Sequence, residues 1–300
     1  MEEIIKEVQR IKQWIIDNKT LPDFKKNNNE YMKFAVESSN NVRYLMFVAA
    51  GMISEGKDGY NREDAVIVGL FVRLCKLYDT LCWHAAENHA EIVQIFVRLI
   101  FESSINLEYL MTNGKKSIEN FIFISYKATK ENYEDLIKKK EGRELTGIEK
   151  RILAKIERQL QEDEVDIEKL CTNKNWRVDG KSFKNILKEL NFEGAYSYIF
   201  GNGSSYVHGD WKDLKANHLD YKQEQYYPRL EHDRVDPRYL CPASVICLDA
   251  LVEFLKWNKS DADNFVISTA IGMNSLIRNF DAQHEKDLQE AWRGDDEIAQ

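Results

Sequence analysis

"REDAVIVGLFVRLCKLYDTLCWHAAE", residues 62–87, decides the fold of this chain. It is a long, strongly apolar run without proline, and it shows no sustained two-residue alternation of the kind a half-buried strand needs. It therefore reads as a helix, entered from the turn-like "EGKDGYN" at 55–61. The next run, "AEIVQIFVRLIFESSINLEYLM" at 90–111, reads the same way and closes at Asn113-Gly114, a common helix stop.

Working outward, proline placement extends the pattern. Pro22, Pro228, Pro237 and Pro242 are the four prolines, and none lies between the first two. Proline inside a helix costs about 3 kcal/mol, so such a span admits a series of long helices. Toward the N-terminus, "YMKFAVESSNNVRYLMFVAAGMIS" (31–54) is one helix, and Ile4, Val8, Ile11 and Ile15 mark the face of another. Beyond residue 115, an aromatic-rich amphipathic helix covers 116–140. Thr146 followed by Glu149 is a capping box, opening a helix with Ile148, Ile152, Ile156 and Leu160 as the expected buried stripe. From about 209 to 241 the chain is rich in Tyr, Asp, His and Pro with no helical stripe, and reads as one long irregular loop. Two helices, "PASVICLDALVEFLKW" and "DADNFVISTAIGMNSLIRNF", follow over 242–281, then an acidic tail at 282–300 that is expected to fray. The fold expected is all-α, a multi-helix bundle forming one interlocked domain over 1–300, with a core at about 60–215 and the 242–281 pair packed on it.

Composition limits the function classes. With 43% hydrophobic and 31% charged residues the chain is globular, and no apolar run approaches membrane-span length. The start "MEEIIKEVQRIKQWIIDN" lacks the pattern of a secretory signal, and the five cysteines form no C-x-x-C pair. Both point to the cytoplasm. A net charge of −8 argues against broad, sequence-independent nucleic-acid binding. The locally basic run at 137–158 reads as a solvated face, with docking of a polyanion as its alternative.

Several charged groups stand where hydrophobes belong. Arg43, Arg73 and Arg98 are each flanked by large apolar residues, and a buried guanidinium needs a carboxylate or carbonyls because it cannot lose its charge. Glu102 lies one turn from Arg98 on the same face, and Asn106 and Tyr109 extend that row. Arg73, Thr80, His84 and Glu87 fall near a common face of the preceding helix. Such rows form structural ion pairs, or else they wall an internal cavity.

"YSYIFGNGSSYVHGDW", residues 196–211, raises the sharpest question. Tyr196, Phe200, Ser204 and His208 recur every fourth residue, with Ser205 within reach of His208. Gly201 and Gly203 weaken a helix by up to about 1 kcal/mol each, which close approach of another helix or a ligand would explain. The expected site accordingly combines Arg98, Glu102, Ser204 and His208 as reacting groups, with Arg73, Tyr109, Tyr196 and Ser205 around a ligand.

"VRLIFESSINLEYL" (97–110), "FIFISYKATKENY" (121–133), "NWRVDGKSFKNILKEL" (175–190) and the 196–211 segment together resemble a bacterial family of helical proteins carrying a domain of unknown function. The resemblance covers about 60–215 and rests on Arg98, Glu102, Trp176, Tyr196, Ser204 and His208. It implies a helical fold and a polar site, without an assigned activity.

Two functional classes follow. One is metal-independent RNA cleavage by a toxin or phage-defence effector, in which His208 moves the 2′-hydroxyl proton and Arg98 stabilises charge on phosphorus. An alternative pair, Arg278 and His284 in "RNFDAQH", resembles the Arg-x-x-x-x-x-His pattern of the HEPN ribonucleases. Six positions span about 240° of a helix, so these two meet only if the helix breaks. The other class is a non-catalytic binder of an anionic small molecule or nucleotide. In either, the 219–240 loop closes over the ligand, docks a protein partner or joins a homo-oligomer. No cofactor is implied. His84, Glu87, His89 and Glu91 cluster at a helix junction, but their spacing matches no standard metal-ligand set.

Overall fold

Residues 2–52, 58–170, 178–195, 199, 202–259 and 263–298 are described by the computed structural model. Trp176, Tyr196 and Phe200 lie outside them. The architecture is all-α, with one small two-stranded hairpin among the described residues. The chain forms two compact units, one of residues 1–111 with 194–300 and one of 112–193.

The first unit is built on helices α1 (Glu2–Asp17), α2 (Asn28–Gly51), α3 (Arg62–Ala86) and α4 (Ala90–Asn113), completed by α11 (Pro237–Asn258) and α12 (Asp263–Ile298). The opening stretch folds as read. Asn61 caps α3 by accepting from the Asp64 amide, and Glu63 and Asp64 complement the positive end of the helix dipole. Ile67, Phe71, Leu74, Tyr78 and Leu81, three or four apart, form its buried face. α11 packs on α12, α2 and α3, while α1 and α2 both pack on α12. At the centre Phe71 and Phe254 stack with ring centroids 4.0 Å apart. The buried Tyr78 and Ser244 hydroxyls satisfy one another at 2.6 Å.

Four details differ from expectation. After α9 (Asn202–His208), the stretch expected to be irregular holds α10 (Trp211–Asp213), a turn of π-helix (Leu214–His218) and a hairpin of β1 (Leu219–Lys222) and β2 (Gln225–Pro228). α11 starts at Pro237, five residues earlier than read, because Asp236 caps it through the Arg238 amide and proline suits the first helical position. The acidic tail is helical to Ile298. Tyr31 Oη donates to Asp287 at 2.6 Å and Lys26 pairs with Glu290 at 2.8 Å, which anchors it. In α1, Val8 and Ile11 are buried while Ile4 is exposed.

In the second unit, α5 (Lys115–Ser125) meets the turn at 178–180, α6 (Lys127–Gly142) packs on α7 (Gly147–Glu162), and α8 is Phe183–Glu189. The capping box at Thr146 and Glu149 forms as read. The stripe it opens is rotated: Leu153, Ile156 and Leu160 join Leu136 and Leu145 in the core, whereas Ile148 and Ile152 are exposed. Part of the basic run here is paired, with Arg143 on Glu149, Lys150 on Glu144 and Lys139 on Asp135. Among the described residues no helix is long and apolar enough to cross a membrane.

Candidate functional site

Arg98 is, with Glu91, a buried charged residue of α4, 9% exposed, its guanidinium 3.7 Å from Glu102 one turn on. Gly203, in the first turn of α9, lies against the Arg98 stem. A β-carbon at Gly203 would fall 2.8 Å from Arg98 Cβ and 3.2 Å from its Cδ. Close approach is thus what that glycine permits, and the group approached is the arginine singled out by sequence.

Gly203 also lines a cleft of about 470 Å³ in the first unit, within the roughly 300–1,000 Å³ of small-molecule sites. Gln94 and Val97 of α4 line it, with Ser205 and Tyr206 of α9 beyond them. Lys212, Asp213 and Ala216 line it as well, as do Arg238, Tyr239 and Pro242 from the first turns of α11. Lys212 is exposed and Arg238 is half-exposed, held by Asp236 through Nε at 2.9 Å and Nη2 at 3.1 Å. Asp213 is buried and accepts from Asn217 Nδ2 at 2.8 Å. Burial holds the phenols of Tyr206 and Tyr239 above their ordinary range, and Tyr206 further raises Tyr239. Both therefore present hydroxyl donors at neutral pH.

The residues expected at the site are distributed more widely. Ser205 reaches the cleft but donates to Asp210 at 2.6 Å; Ser204 is half-buried beside it. His208 ends α9 in solvent, so it is not enclosed with Arg98. Tyr109 is a core residue, 1% exposed, and Arg73 faces solvent. Arg278 and His284 sit on an unbroken α12 and diverge as helix geometry requires: Arg278 is exposed and pairs with Asp249 at 3.1 Å, while His284 is buried. Sequence reading missed Gln94, Tyr206, Lys212, Asp213, Arg238 and Tyr239. The signal for the last two was Asp236-Pro237, a cap followed by a first-position proline, which places Arg238 and Tyr239 in the opening turn of a helix.

A second cluster joins α3, α4 and the segment after β2. His84 and His89 face each other Nδ1 to Nδ1 at 3.0 Å, the His89 and His232 rings are 4.1 Å apart, and His232 Nδ1 contacts Glu91 Oε1. Among the described residues no three His, Cys, Asp or Glu side chains are arranged to hold a metal ion.

A family profile described as a family of unknown function, DUF5677, matches residues 64–227. The chain belongs to the DUF5677 family. The DUF5677 match, close to the 60–215 expected, takes in Arg98, Gly203, Tyr206 and Lys212 and stops short of Arg238 and Tyr239. No curated protein and no solved structure matches the chain.

Proposed function

We propose that the cleft between α4, α9 and the start of α11 binds an anionic small molecule of the nucleotide class. The supporting observation is that Lys212 and Arg238 line one 470 Å³ cleft together with Tyr206, Tyr239 and Gln94. Cations meet phosphate, phenol rings offer an apolar face for a base, and Asp213 accepts from a ribose hydroxyl or amino group. The RNA-cleaving alternative has less support, because His208 is exposed and Arg278 and His284 diverge.

The test is a thermal-shift and calorimetric titration with nucleoside mono-, di- and triphosphates, with inorganic phosphate and short RNA alongside. A ligand at a hundredfold excess over Kd stabilises by about 2.7 kcal/mol. The expected result is saturable nucleotide binding, weakened at least about tenfold in Arg238→Gln/Lys212→Gln, a loss of about 1.4 kcal/mol or more. Absence of binding at millimolar nucleotide would overturn the reading, and cleavage of the RNA would replace it with the enzymatic one.

A further inference from the structure

The segment 229–236 is a strap that links two groups of residues lining the cleft. At its start Arg229 donates to the carbonyls of Ala216 and Asn217, at 2.5 and 3.3 Å, and pairs with Asp233 at 2.9 Å. Ala216 lines the cleft. At its end Asp236 caps α11, whose Arg238 and Tyr239 also line it. Between these points the strap is fastened to the α3–α4 junction. The Ala90 amide donates to the Asp233 carbonyl at 3.3 Å, and His232 reaches both His89 and Glu91.

We propose that the chain His84–His89–His232–Glu91 is a proton-operated clasp, which holds the strap against the α3–α4 junction near neutral pH and releases it in acid. Three features of geometry carry this. An Nδ1-to-Nδ1 hydrogen bond at 3.0 Å needs a proton on one imidazole and a lone pair on the other, so protonating both His84 and His89 sets two N–H groups head to head. Glu91 is the single carboxylate in the chain. One carboxylate can offset one imidazolium, so a second or third positive ring has no carboxylate of its own within the cluster. The His89–His232 contact crosses from junction to strap beside the Ala90–Asp233 and Glu91–His232 contacts, so repulsion between those rings acts on the fastening.

From α3, His84 meets the Trp83 ring edge, and from α4 the Phe96 ring stacks on it. On the strap, Asp233 is held by Arg229. Glu87, Glu231 and Arg234 are exposed to solvent. Burial and the two neighbouring histidines hold His84 below its ordinary range, so it is uncharged near neutrality.

That the clasp governs ligand access rests on the nucleotide reading; the clasp itself does not. The direct test is hydrogen exchange of the full-length protein between pH 7.5 and 5.0, corrected for intrinsic rates and resolved by segment. Strap amides at 229–236 are expected to lose at least about tenfold protection, while the core amides of α11 stay protected. In His89→Phe the loss should shrink by half or more, since the crossing charge pair is gone. Strap protection that is flat with pH, or that falls equally in His89→Phe or together with α11, would overturn the proposal. A parallel nucleotide titration at both pH values separates the two ideas. A pH-dependent strap without binding refutes only the cleft, and binding with a pH-independent strap refutes only the clasp.

Discussion

Gly203 and the stem of Arg98 occupy neighbouring volumes with no room for a methyl group between them: a β-carbon on the glycine would stand 2.8 Å from Cβ of the arginine. That clash is with a carbon near the backbone, which cannot swing aside as a side-chain tip could. Gly203→Ala gains at most about 1 kcal/mol of helix propensity and meets overpacking of about 1–3 kcal/mol. The expected result is net destabilisation in chemical denaturation. Arg98→Gly in the same chain removes that carbon, which alanine would keep, and should relieve the clash, so a double-mutant cycle should return coupling of roughly 0.5 kcal/mol or more. Additive single effects would show that the contact is not felt.

Thr146 and Glu149 begin α7 as a reciprocal cap, with Arg143 gripping the same carboxylate at 2.6 and 2.8 Å. Thr146→Ala should cost about 0.5–2 kcal/mol of local stability, seen as faster exchange of the first-turn amides of α7. Arg143 and the Thr146 amide hold the Glu149 carboxyl down to about 2. A depressed carboxyl pKa stabilises the fold above the unfolded value and loses that effect as pH falls through the folded one. The turn should therefore stay protected at pH 4 and loosen only toward pH 2.

The four described cysteines are buried, and burial pushes the Cys75 and Cys82 thiols up to about 12, with Cys241 and Cys247 also well above the ordinary thiol range. Thiolate is the reactive form. All four should resist alkylation of the native protein at pH 8 and react in denaturant. Native-state labelling of any of them, mapped by mass spectrometry, would show that its helix opens locally.

Most of the helical architecture was legible because α3, α4 and α11 must bury continuous apolar faces, and a 3.6-residue period is visible in sequence. The glycine answer was legible too, since Gly203 weakens a helix for no local gain. What could not be read was which of two adjacent faces turns inward. In α7 both the Ile148–Ile152 and the Leu153–Ile156 stripes are apolar, and only packing against Leu136 and Leu145 chooses between them. The cleft was hidden for a related reason. Its lining cations, Lys212 and Arg238, lie 26 positions apart, and nothing local in the sequence shows that both line one cleft. The histidine cluster was half visible: His84, His89 and Glu91 are local, whereas His232 arrives from 141 positions beyond Glu91.

His284 supplies a last, quantitative check. It is 2% exposed, its ring lies 4.5 Å from Tyr31, and its Nδ1 has no hydrogen-bond partner. Burial, reinforced by Arg238, holds its pKa below the ordinary value of 6.5, against the opposing pull of Asp236 and Asp281. A histidine with a lowered folded pKa leaves the unfolded chain binding more protons. Its stabilising effect is therefore complete above about pH 6.5 and fades as pH drops below that value. His284→Phe, or His284→Leu if the larger ring overfills the site, removes both the unpaired nitrogen and the titration. At pH 7.5 the variant should be as stable as the parent or more so, by up to about 1–3 kcal/mol, the usual penalty of an unsatisfied buried polar group. Between pH 7 and 5.5 the parent should lose more stability than the variant in parallel urea titrations. Equal slopes would mean that His284 keeps the same protonation in folded and unfolded chains, and that water or a neighbouring carboxylate reaches its ring.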